Sequence, residues 1–138
     1  MPRPQGLIIG SLTTTPVRIN ETIKTILDLL TQQTLPLDEL ILNVPMRSIR
    51  FNSSYDVPAN LLQLQQPRLT ILRGSDYGPA TKLVPVLQLL RQRGLAPENV
   101  TLVVVDDDTD YNPNLICEYA RAELRYPGAA LGCTAAAS

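Results

Sequence analysis

The chain of 138 residues contains no histidine and no tryptophan. Without an imidazole, histidine-based triads and histidine-ligated metal sites are excluded, and any acid or base must be a carboxylate, lysine, tyrosine or cysteine. Cysteine is scarce as well. Cys117 and Cys133 are too few for a disulfide framework and lack the spacing of a zinc site, which fits buried free thiols and a reducing, cytoplasmic setting. There is no surplus of charge: the net value is −1, which leaves no electrostatic footprint for nucleic acid. No apolar run reaches the roughly 18 residues of a membrane span. The start MPRPQG also lacks the basic segment and apolar core of a signal peptide. Neither G-x-G-x-x-G nor G-x-x-x-x-G-K-[ST] follows the first apolar run, so simple NAD and ATP readings lose their main support.

What is present reads as one globular domain over residues 1–138, with 44% hydrophobic residues and a small-residue tail, Thr134 to Ser138, expected to be disordered. Gly6 to Leu12 is a short apolar run, the pattern of a strand buried on both faces. Ile19, Ile23, Ile26, Leu27 and Leu30 then recur at helical spacing and predict a helix ending near Gln33, with Thr15 before Pro16 as a fitting N-cap. Glu39 to Val44 predicts a second strand, Pro45 to Pro58 a polar loop, and Leu69 to Leu72 a third strand. Pro85 would break a helix begun at Pro79, so the spacing predicts a turn over Pro79 to Val84 and a helix from Pro85 that Gly94 stops. Val100 to Val105 predicts a fourth strand. Asn112 and Pro113 open a helix running to about Arg125, and a last short strand is expected near Ala129 to Cys133.

Strand and helix alternate throughout, and the strands are apolar on both faces. The expected fold is therefore α/β: a mostly parallel, Rossmann-like sheet covered by helices on both faces. Ligands of such sheets bind beyond the carboxyl ends of the strands. Three loops should open there: Thr13 to Arg18, Gly74 to Lys82, and the run Asp106, Asp107, Asp108. Adjacent carboxylates raise the cost of ionising one another unless a cation sits among them. On extended backbone Asp106 and Asp108 would point to one side and Asp107 to the other, and a hard ion such as Mg²⁺ or Mn²⁺ suits them. The hydroxyls of Ser11, Thr13, Thr14 and Thr15, together with Arg18, can hold a base and ribose, and Lys82 can meet a phosphate as a point charge. Together these groups describe a nucleoside diphosphate site.

TTTPVRI at Thr13 to Ile19, DYGPATKLVP at Asp76 to Pro85 and VVVDDDTDY at Val103 to Tyr111 stand in one order. In that order they resemble the nucleotide-sugar-binding half of glycosyltransferases of the GT-A fold, including sugar transferases of large algal viruses. The resemblance implies that Asp106 faces the ribose or sugar, that Asp108 ligates the metal with Asp106 beside it, and that Asp107 lies near the donor sugar. It maps the family's acidic residue and Gly-Pro-x-x-Lys run to Asp76, Gly78, Pro79 and Lys82, and its base-binding loop to Thr13, Thr15 and Arg18. The implied donor is a nucleoside diphosphate sugar, a UDP-sugar first among them. The acceptor is an unassigned glycan.

The likeness spans most of Leu7 to Leu131. Nothing matches the acceptor-binding half or a catalytic base, so a donor-binding domain of a transferase is expected, with a non-catalytic nucleotide-sugar-binding fragment as the alternative. Each signal also has a plainer reading: solvated aspartates at a helix N-terminus, an exposed Lys82 or Arg18, capping threonines, and packed Tyr55, Tyr77 and Tyr111. An aspartate-nucleophile phosphatase is disfavoured, because Asp110 stands where that motif wants threonine and the motif belongs on a first strand.

Overall fold

The computed structural model describes residues 6–65, 68–96, 99–107 and 112–118, with only the backbone of Pro79. Its centre is a four-stranded, wholly parallel sheet in the order β5-β2-β1-β6. The strands are β1 (Leu7–Thr13), β2 (Glu39–Pro45), β5 (Leu69–Gly74) and β6 (Val100–Val104). Helix α1 (Ile19–Thr31) joins β1 to β2, and α3 (Val84–Gln92) leads from β5 to β6.

Alternation along β1 explains the two layers. Ile8 and Leu12 face a core shared with Ile26, Leu29 and Leu61, whereas Ile9 faces Ile41 and Val86 on the other side. Both faces of the sheet are thus covered, as the doubly apolar strands require. Burying each such side chain contributes on the order of 1.5–3 kcal/mol. The α/β expectation therefore holds, including the split at Pro85: a 3-10 helix over Gly78–Lys82 precedes α3, and Gly94 stops that helix at φ +74°.

Four details differ from the sequence reading. The loop after β2 contains a two-stranded hairpin, β3 (Arg47–Ser48) with β4 (Ser53–Ser54), followed by the short helix α2 (Ala59–Gln63). Its turn closes on Asn52, which adopts the left-handed φ of +46° while its side chain and carbonyl accept from Arg47. On α1 Leu27 is exposed and Leu29 buried, while Thr22 and Thr25 take inward positions. The N-cap of α1 is Arg18, not Thr15, because the carbonyl of Thr15 first closes a turn onto the Arg18 N–H. Tyr77 is exposed rather than packed.

Cys117 is a partly buried free thiol. Asn112 accepts from the Asn114 N–H, and helical structure follows at 115–118. The rest of that helix, Asp108, Asp110, Tyr111, the strand expected near Cys133 and the tail lie outside the described residues. No helix among the described residues is long and apolar enough to cross a membrane.

Candidate functional site

The strand order locates the site before any side chain is considered. The chain moves outward from β1 to β2 and β5, then crosses back to place β6 on the other flank of β1. The reversal lies between β1 and β6, and ligands of open parallel sheets bind at such a point, outside the carboxyl ends of the strands. Thr13 ends β1, and Asp106 follows two residues after the end of β6.

Two adjoining clefts open there and share Thr13, Thr14 and Thr15 as a common wall. The smaller, of about 170 Å³, is bounded further by Arg18, Lys82, Val105, Asp106 and Asp107. The larger, of about 270 Å³, is bounded by residues of the hairpin (Ser48, Arg50, Phe51), by Tyr55, and by Asp76, Gly78 and Thr81. The three loops singled out in the sequence are thus brought together.

In the small cleft the charges are paired across elements. Asp107 is 4% exposed and accepts from Arg18 twice, Nε to Oδ2 at 3.2 Å and Nη2 to Oδ1 at 3.0 Å. The Thr25 hydroxyl donates to the Asp107 carbonyl at 2.9 Å, and the Thr22 hydroxyl lies within 3.5 Å of the Asp107 carboxylate. This explains two threonines on the inward face of α1: they accommodate a buried acidic turn that leucine would leave unsatisfied. Asp106, which is exposed where Asp107 is buried, accepts instead from the Lys82 ammonium at 2.9 Å.

Lys82 is rooted by its backbone. Asn43 Nδ2 donates to the Ser11 hydroxyl at 2.9 Å, and that hydroxyl donates to the Lys82 carbonyl at 2.6 Å. A buried polar chain through β2 and β1 therefore sets the end of the 3-10 helix against those two strands. Ser11 and Asn43 are buried, so the Ser11 hydroxyl and the Asn43 amide N–H need such partners; the Asn43 side-chain oxygen makes no hydrogen bond.

The larger cleft is walled by apolar and hydroxyl-bearing groups. The Arg50 guanidinium stands 5.1 Å from the centre of the Phe51 ring, a cation–π distance. Tyr55 is buried and donates its hydroxyl to the Thr14 carbonyl at 3.0 Å. Burial, and secondarily the charge of Asp76, push the Tyr55 phenol above its usual value and keep it a donor. Asp76 closes the wall: its Oδ2 accepts from the Ile49 N–H, and its Oδ1 from the Gly78 N–H and the Thr81 hydroxyl. Desolvation raises its pKa, yet these three bonds outweigh it and hold the carboxyl below the ordinary range. Gly78 takes φ +63° with open space around its α-carbon, so backbone there is approachable, and Pro79 is the second residue of the 3-10 helix.

The hydroxyl oxygen of Thr15 is buried and makes no hydrogen bond. The half-exposed Asp106 carboxylate on the small cleft is a hard oxygen donor and fits Mg²⁺ or Mn²⁺ in type. Among the described residues no three His, Cys, Asp or Glu side chains converge. A cation on Asp106 would thus take its remaining ligands from phosphate oxygens, from water, or from Asp108, which the described residues do not include.

The hairpin residues Arg50 and Phe51 were not foreseen as lining the site. The loop's unusual pairing of arginines with an aromatic, RSIRF, was the available signal. No family model, curated protein or solved structure matches this chain.

Proposed function

We propose that this domain binds a nucleoside diphosphate sugar, a UDP-sugar foremost, and serves as the donor-binding part of a glycosyltransferase. The observation that carries the reading is the pair of clefts meeting along Thr13 to Thr15 at the switch point of the sheet. One is lined by Phe51, Tyr55 and hydroxyls and suits a pyrimidine and ribose; the other is lined by Lys82, Arg18 and carboxylates and suits a diphosphate with its counter-ion. Asp106, with Asp108, would hold Mg²⁺ or Mn²⁺, and Lys82 would meet a phosphate. When bound, the ion would neutralise charge developing on the diphosphate leaving group.

The chain's own contribution is to orient and enclose. Asp107 fixes the start of α1 through Arg18, Asp76 pins the hairpin against the 3-10 helix, and Tyr55 braces the Thr14 carbonyl. Calorimetry with UDP tests the reading: binding should be strong with Mn²⁺ and weak without it, and Asp108→Ala should remove the difference. Equal UDP affinity with and without Mn²⁺ would sink it. Incubation with a panel of nucleotide sugars and Mn²⁺ then separates turnover from mere binding. Release of UDP supports a transferase, binding without release supports a non-catalytic module, and phosphate released from a simple phosphomonoester points to a phosphatase.

A further inference from the structure

On the α3 side of the sheet, where Ile9, Ile41, Val86 and Leu90 form the core, one polar pair is buried in the strands. Ser11 and Asn43 follow Ile9 and Ile41 by two residues, which places them on that same face. Asn43 Nδ2 donates to the Ser11 hydroxyl and to the Leu12 carbonyl, both at 2.9 Å, while the Asn43 side-chain oxygen goes without a partner. Packing alone does not call for this pair, since two apolar groups of the same shape would fill the space at no such cost. Its use lies at Pro85. In a 3-10 helix each carbonyl accepts from the N–H three residues on, so the carbonyl of Lys82, last residue of that helix, would look to residue 85. Proline has no N–H to give. The Ser11 hydroxyl takes its place and donates to the Lys82 carbonyl at 2.6 Å from 71 positions away in sequence.

We infer that Ser11 is a positioning residue for Lys82, standing in for the N–H that Pro85 lacks, and that Asn43 keeps the Ser11 hydroxyl aimed at that carbonyl. The inference rests on the donor-binding reading above, in which Lys82 meets a phosphate, and adds to it the groups that set where the lysine stem begins. A lysine is a point charge on a flexible four-carbon stem, so fixing its root narrows the space the charge can sweep. With an Asn43 N–H on its oxygen, the Ser11 hydroxyl keeps its own proton for Lys82. Neither Ser11 nor Asn43 lines either cleft, so an effect of theirs on a ligand must pass through another residue. The second route open to Asn43 is its main-chain carbonyl, which accepts from the Thr13 hydroxyl at 2.8 Å and which a side-chain substitution leaves in place.

A double-mutant cycle read by calorimetry with UDP and Mn²⁺ tests this on the parent chain, Ser11→Ala, Lys82→Met and the double variant. Lys82→Met should weaken UDP binding about tenfold or more, as loss of a charge-assisted bond does. Ser11→Ala should weaken it about threefold to tenfold while Lys82 is present. Once residue 82 is methionine the same change should cost less than about twofold, because no charge is left to place. Asn43→Leu should follow Ser11→Ala in both backgrounds, and it serves as the test if Ser11→Ala melts below the assay temperature. A merely structural role would weaken UDP by the same factor with and without the lysine. That result, or unchanged UDP affinity in Lys82→Met or in both folded Ser11→Ala and Asn43→Leu, would overturn the inference and leave donor binding intact. Failure of UDP to bind the parent chain at any Mn²⁺ concentration would overturn both.

Discussion

Arg18, the N-cap residue of α1, closes a two-bond fork on Asp107, two residues beyond Val105, and so ties the first loop of the sheet to the last described one. The aspartate is buried while the arginine is partly open to solvent, so the two ends are not equivalent. Arg18→Ala leaves a carboxylate inside without its cation. It should lower unfolding stability by about 1–3 kcal/mol, below the cost of a fully buried pair because the arginine side is solvated. Arg18→Lys should recover only part of this, since an ammonium cannot reproduce the fork. Urea denaturation at constant m-value measures it, and an unchanged midpoint would count against a structural role for the pair.

Acid should destabilise the fold partly through two carboxyls at opposite ends of the sheet. Burial raises the Glu39 carboxyl, but bonds from Arg93 and Thr70 outweigh burial and hold it below its ordinary 4.5; Asp76 is likewise held below 3.8. A carboxyl depressed in the folded state stabilises fully above its unfolded value, and that contribution is lost as pH falls through the lower folded value. Stability should thus fall with pH below about 4.5, and Glu39→Gln and Asp76→Asn should each flatten the fall while lowering stability at neutral pH. A parent and a double variant with parallel pH profiles would contradict this.

Thr15 offers a separable test of ligand contact. Its hydroxyl oxygen is buried without a partner. Replacement of such an orphan by an apolar group of the same shape is close to neutral for folding. Thr15→Val should therefore leave the melting temperature unchanged or raise it, while weakening UDP binding by about threefold to tenfold, the loss of roughly one hydrogen bond. A variant that is stable and binds UDP as the parent does would remove Thr15 from the site.

Tyr55→Phe keeps the ring and loses the bond to the Thr14 carbonyl. The expected cost is about 0.5–1.5 kcal/mol of stability. Tyr55→Ala should cost more, about 3–5 kcal/mol, because it also opens a cavity beside Leu61 and the other residues of that core. Thermal unfolding of the two variants separates the hydroxyl from the packing, and equal losses would show that the bond carries the whole effect.

The main strands and the helices α1 and α3 were legible because each is either an apolar run or a stripe at helical spacing, punctuated by Pro85 and Gly94. The hairpin was not, since two-residue strands leave no alternation to read and its turn is held by Arg47 reaching Asn52. The exchange of Leu27 for Leu29 on α1 has a tertiary cause: the helix is rotated so that Thr22 and Thr25 meet Asp107. Asp106 and Asp107 take different partners, and those partners, Lys82 and Arg18, lie 24 and 89 positions away in sequence from the residues they hold and could be found only in three dimensions.

The threonine segment at the end of β1 is a wall that both clefts share. A ligand occupying both must cross it, so the domain would select by span as well as by chemical group. A nucleoside on one flank and pyrophosphate on the other would each bind feebly. The same pieces joined covalently would gain a chelate advantage, the second half finding its place at an effective concentration in the millimolar range or above. The distance across that shared wall would then act as a gauge that favours a nucleoside diphosphate over its shorter fragments.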